Sequence, residues 1–121
     1  MEALLDTNFI IACVKKRIDF MEELRSLGFR VIVPREVIEE LKDLRLNVGH
    51  VERAAIDVAL QQFASTRIEK TKLGKRVVDE GLIAKGKQGA YIATLDAAIK
   101  RVVPNKIVIT GAKNELAIER V

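Results

Sequence analysis

Tryptophan is absent from this chain, tyrosine occurs once and phenylalanine four times. Stacking platforms for single-stranded bases are therefore scarce, and any affinity for nucleic acid would come mainly from charge. A single cysteine, Cys13, rules out an intramolecular disulfide. It lies in the apolar run Phe9-Ile10-Ile11-Ala12-Cys13-Val14 and reads as a small core residue suited to a reducing cytoplasm. Cys13 and the sole histidine, His50, cannot build a zinc site. No basic segment precedes the first apolar run, which contains Asp6, so no secretory leader is expected. No apolar run approaches the length of a membrane span. Gly81, Gly86 and Gly89 are expected within or after a helix, so no glycine-rich phosphate loop follows a strand.

What is present fits one domain over residues 1–121, with 49% apolar and 31% charged residues. The net charge of +4 permits a polyanionic partner without demanding one. Ala3-Leu4-Leu5 reads as a buried strand ending at Asp6, with a helix from Thr7 that continues through Ile18 to Leu27 and stops at Gly28. Arg30 to Val33 is a short β-branched second strand. Pro34 opens a helix to about Arg45. Asn47 to His50 reads as a turn and Glu52 to Ser65 as an alanine-rich helix. A short third strand is placed at Thr66–Glu69, followed by an exposed basic loop from Lys70 to Arg76. Asp79 begins a helix to about Lys87, with Gly86 and Gly89 marking its end. Ala90 to Ala93 is the fourth strand, Asp96 opens a helix to about Val102, and Lys106 to Thr110 is the fifth strand. The tail from Asn114 fits an edge strand or a terminal helix.

Strands alternating with helices imply a mostly parallel sheet covered on both faces. Ligands of such sheets bind outside the carboxyl ends of the strands. Asp6 follows the first strand directly, and Asp96 follows the fourth after Thr94-Leu95. Asp79 stands in helical register with Leu82 and Ile83 and is expected on the buried side. In the Pro34 helix the apolar stripe is Val37, Ile38, Leu41 and Leu44. Glu40 falls at its margin and leans toward the sheet, while Glu39 points away. Singly, Asp6, Asp79 and Asp96 read as helix caps and Glu40 as a surface residue. Together, four carboxylates at one edge repel one another. A hard cation is the usual remedy, and magnesium needs only a few carboxylates besides water.

Four segments now resemble the motifs of PIN domains, in order and over nearly the whole chain. They are Leu4-Leu5-Asp6-Thr7-Asn8, Val33-Pro34 with Val37-Ile38-Glu39-Glu40-Leu41, Val78-Asp79-Glu80-Gly81-Leu82-Ile83 and Ala93-Thr94-Leu95-Asp96. The resemblance implies a three-layer α/β/α sandwich around a sheet of four to five strands. It implies a divalent-metal-dependent endoribonuclease using Mg²⁺ or Mn²⁺, of which VapC toxins and nucleases that trim ribosomal RNA precursors are examples. Asp6, Glu40, Asp79 and Asp96 match the catalytic and metal-binding acids, and Asn8 and Thr94 the residues that support them by hydrogen bonding. Glu80, beside Asp79, is a candidate to share its role.

Lys72, Lys75, Arg76 and Lys85 are candidate contacts to the RNA backbone; a solvated basic loop is the alternative. The partners implied are RNA, a homodimer mate and, for a toxin, an antitoxin protein. The rival class is a non-catalytic RNA-binding or ribosome-assembly scaffold of the same fold. A phosphoacceptor receiver fits less well, because Asp6 is followed by Thr7 rather than an acid and Lys106 opens its strand instead of closing it.

Overall fold

The computed structural model describes residues 1–65, 68–74, 77–111 and 114–120. Within them the chain forms β1 (Glu2–Leu5), α1 (Thr7–Lys15), α2 (Phe20–Ser26), β2 (Arg30–Pro34), α3 (Arg35–Arg45) and α4 (His50–Ser65). It continues as β3 (Glu69–Thr71), α5 (Val78–Lys87), β4 (Tyr91–Ala93), α6 (Ala97–Val102), β5 (Lys106–Thr110) and β6 (Glu115–Glu119). One sheet contains the strands in the order β3-β2-β1-β4-β5-β6. The first five pair in parallel and β6 runs antiparallel to β5.

Side chains of successive strand residues go to opposite faces. Ala3, Leu5, Val31, Val33, Tyr91 and Ala93 join the larger core, which also holds Phe9, Phe20, Leu41, Ile56 and Phe63 from α1 to α4. Leu4, Ile32 and Ile92 join the smaller core, with Leu82 of α5 and Ile99 of α6. The two clusters are the two faces of the sheet, and the result is the three-layer sandwich expected from the alternation of strands and helices. Phe9, Phe20 and Phe63 meet edge to face in the larger layer.

Several boundaries differ from the sequence reading. The helix expected to run from Thr7 through Leu27 is broken, because Arg17 adopts φ 58° and Asp19 caps a new helix by accepting from the Glu22 amide. α4 starts at His50, so the histidine opens a helix instead of sitting in the turn. The third strand is shifted to Glu69–Thr71, while residues 66 and 67 lie outside the described set. Pairing with β2 at the sheet edge creates this strand: its residues are polar, and Arg30 of β2 donates to both oxygens of Glu69. The tail resolves as the edge strand β6, which makes six strands rather than four or five. Gly86, the penultimate residue of α5, is also a close contact: an added Cβ would stand 2.6 Å from Val103 Cγ1 and 3.1 Å from Ile92 Cγ1. Gly89, at φ +106°, is the residue that ends the helix.

From β1 the chain winds outward through β2 and β3, then crosses back to β4 and β5. The order therefore reverses between β1 and β4, which is where a parallel sheet leaves a crevice at its carboxyl edge. The Asp6 amide closes that edge by donating to the Ala93 carbonyl at 2.9 Å.

Candidate active site

Asp6 stands at the end of β1 and is 5% exposed. Its Oδ1 accepts from the Thr7 amide at 2.8 Å and its Oδ2 from the Thr94 hydroxyl at 2.7 Å. Thr94, fully buried after β4, also accepts from the Asp96 amide at 3.0 Å. One hydroxyl thus joins the Asp6 carboxylate to the turn that carries Asp96. Asp96 caps α6, with Oδ1 accepting from the amides of Ala98 at 2.8 Å and Ile99 at 3.4 Å. The cap reading is correct for Asp6 and Asp96, but capping employs only part of what each carboxylate offers.

Asp79 does not cap α5; Val77 holds that position and Asp79 sits in the first turn. It is exposed at the rim of the site, not on the buried side as its register suggested. Glu40 is half-buried on α3, whereas Glu39 is exposed and pairs with Lys42 at 3.6 Å. Electrostatics tie the four acids together. Burial raises the Asp6 carboxyl above its ordinary value; the bonds from Thr94 and Thr7 oppose this, and the charges of Asp79 and Glu40 add to it. Asp79 is also raised, by burial and then by Asp96 and Glu40. Glu80 is exposed and is not among the charges that act on either.

None of the four acids forms an ion pair within the described residues. A buried carboxylate and three neighbours of like sign, none of them in an ion pair among the described residues, suit a divalent cation by charge and by oxygen chemistry. No three Asp, Glu, His or Cys groups among the described residues are gathered into a ready-made cage. A magnesium-like ion tolerates this, because it keeps several waters and takes only one or two carboxylates directly.

The supporting residues differ in placement. Thr94 bonds as described, but Asn8 is exposed and makes no side-chain hydrogen bond among the described residues. It lines a groove with Ile11, Lys16, Leu95 and Asp96. Lys72 shares a cleft with Glu36 and Glu40. Lys85 lines a recess with Glu2 and Arg30, the first residues of β1 and β2, away from the acids. Lys75 and Arg76 lie outside the described residues. Burial, helped by the Glu23 charge, pushes the Cys13 thiol up to about 12 and leaves it inert.

Two features were not read from the sequence. Thr7 Oγ1 is buried without a partner among the described residues. Glu36 accepts backbone hydrogen bonds from Leu73 and Gly74, a tie between segments distant in sequence that no local pattern signals.

A family model described as "PIN like domain" matches residues 3–111. Among solved structures, the chain is similar to the PIN domain endonuclease Utp24, with a TM-score of 0.73 and 22% sequence identity over 99% of this chain and 92% of that one. No curated protein matches the chain by sequence.

Proposed function

The chain belongs to the PIN-like domain family, and from that premise we propose that it is a divalent-metal-dependent endoribonuclease, acting either as a VapC-like toxin or as an RNA-processing nuclease. The observation that carries the reading is the gathering of four acids at the carboxyl edge, where Asp79 and Glu40 act on the buried Asp6 and Asp96 and Glu40 act on Asp79, with no ion pair to any of them among the described residues. These four residues would hold Mg²⁺ or Mn²⁺. When bound, such an ion supplies Lewis acidity toward water and phosphate.

The chain's own residues do the rest. Thr94 accepts from the Asp96 amide and donates to Asp6, so one buried hydroxyl supports two of the acids that would bind the metal. The Thr7 amide at the start of α1 donates to Asp6, and the amides of Ala98 and Ile99 in α6 donate to Asp96, so backbone donors orient both carboxylates. Lys72, in the cleft with Glu40, supplies positive charge for the strand's phosphates next to an acidic centre that would otherwise repel them. The similarity to a protein named as an endonuclease favours cleavage within a strand. An antitoxin in the toxin role, and a homodimer mate, are carried over from the family resemblance as partners.

The test is the double variant Asp6→Asn with Asp96→Asn, purified to remove contaminating nucleases and assayed on RNA with Mn²⁺. A loss of at least 100-fold in cleavage is expected, of the size seen when groups that stabilise developing charge are removed. Undiminished cleavage would falsify the assignment.

A second reading, a metal-free RNA-binding scaffold, draws on the lack of a ready-made cage among the described residues. It requires calorimetry to show no carboxylate-dependent Mn²⁺ binding.

A further inference from the structure

The acids of the proposed site come from both sides of the sheet. Glu40 is on α3, which packs with α1, α4 and β2. Asp79 is on α5, which packs with β4 and α6. Something must hold these two layers in register at the carboxyl edge, and Glu36 makes a direct tie.

Glu36 lies in the first turn of α3. The Leu73 amide donates to its two oxygens at 3.1 and 3.0 Å, and the Gly74 amide donates to Oε2 at 3.2 Å. Two successive amides aimed at one carboxylate form a small anion nest. Gly74 has φ +72°, a conformation glycine adopts without strain. Burial alone would raise the Glu36 carboxyl. The amides of Leu73, Glu36 itself and Gly74, with the Lys72 charge, outweigh burial and hold it below its ordinary value.

The nest transmits position to α5. Leu73 is 9% exposed and belongs to the core beneath α5 and α6. A Cβ added to Gly81 would stand 2.6 Å from Leu73 Cβ, so the first turns of α5 rest on Leu73 with no side chain between them. Asp79 is two residues before Gly81, and Lys72 is the residue before Leu73.

We infer that Glu36 is a positioning residue: it clamps the connection after β3 to α3 and, through Leu73 and Gly81, sets Asp79 and Lys72 against Glu40. This rests on the metal-site reading proposed above. Glu36 touches neither metal nor RNA in this account; it acts through the loop.

The experiment compares the full chain with Glu36→Ala, Glu36→Gln and Asp79→Asn. Amide exchange at Leu73 and Gly74 reads the clamp, calorimetry reads Mn²⁺ affinity, and RNA cleavage is followed across Mn²⁺ concentration. Glu36→Ala should expose both amides and weaken Mn²⁺ binding about tenfold, the lower range for outer-shell support. Its cleavage rate should return toward wild type at saturating Mn²⁺, whereas that of Asp79→Asn should not. Glu36→Gln keeps one acceptor oxygen and should fall between, and it decides the matter by the same readouts if the alanine variant fails to fold.

Wild-type Mn²⁺ affinity in a variant whose two amides are exposed would overturn the inference. So would unchanged protection of those amides, or a cleavage defect that Mn²⁺ does not repair. A wild-type chain that neither binds Mn²⁺ nor cleaves RNA would instead overturn the underlying reading. That result appears in the wild-type arm alone, while failure of the clamp appears only in the variants.

Discussion

Four acids at one edge are a liability for a metal-free protein. Asp79 shows this most openly, because its carboxyl is raised by partial burial, Asp96 and Glu40, and among the described residues no side-chain hydrogen bond offsets them. The sign follows from proton linkage. A carboxyl raised in the folded state binds protons more tightly there than in the unfolded chain, so its ionisation costs stability as pH rises through the carboxylate range. Asp79→Asn should therefore melt slightly higher than wild type at neutral pH, low salt and no metal. The gain should be under about 1 kcal/mol, since the group is exposed and screened. It should shrink as pH falls through the carboxylate range and as salt rises. With saturating Mn²⁺ the order should reverse, because wild type gains binding free energy that the variant lacks. Thermal melts at two pH values, with and without Mn²⁺, check this; a wild type already more stable without metal at neutral pH would count against the repulsion.

At the scale of elements, legibility tracked the apolar signal. β1, β2, β4 and β5 are short apolar or β-branched runs, and Ala3, Val31, Ile92 and Ile107 are buried as such runs require. Glu69-Lys70-Thr71 has no such pattern, and only its pairing with Ile32, Val33 and Pro34 makes it a strand. The break between α1 and α2 was hidden because Val14, Ile18 and Met21 keep helical spacing across it, while the left-handed turn at Arg17 leaves no mark in an apolar pattern. Asp79 looked like a cap because Asp favours that position and the helix was expected to begin there; backbone geometry gave the cap to Val77. Glu36 was invisible because its partners are 37 and 38 residues away.

Gly86, read as marking the end of α5, is also a contact. Gly86→Ala gains about 1 kcal/mol of helix propensity but forces a methyl against Val103 and Ile92. Overpacking of this kind costs about 1–3 kcal/mol, so a net loss of about 1 kcal/mol is expected by urea denaturation. A variant more stable than wild type would show that α6 can move away freely.

The molecule as a whole places its four acids by topology. A parallel order that reverses between β1 and β4 opens one edge, and Asp6 and Asp96 come from the two strands that flank the reversal. α3 and α5 bring Glu40 and Asp79 to the same edge from opposite layers. The chain is nonetheless net positive by four, so these four acids stand in a basic protein. That contrast suits a polyanion drawn by the surface and an ion held at the edge. The alternation of elements made the fold and the acidic edge readable from sequence, whereas the tie across the layers required coordinates.

The central claim is that these four acids share a metal. Crystals of the chain soaked in Mn²⁺ and measured at the manganese absorption edge test it most directly. The expected anomalous map has its strongest peak at the carboxyl edge, within coordination distance of Asp6 and at least one of Glu40, Asp79 and Asp96. A strongest peak elsewhere, or none in a crystal that diffracts well after the soak, would contradict the account.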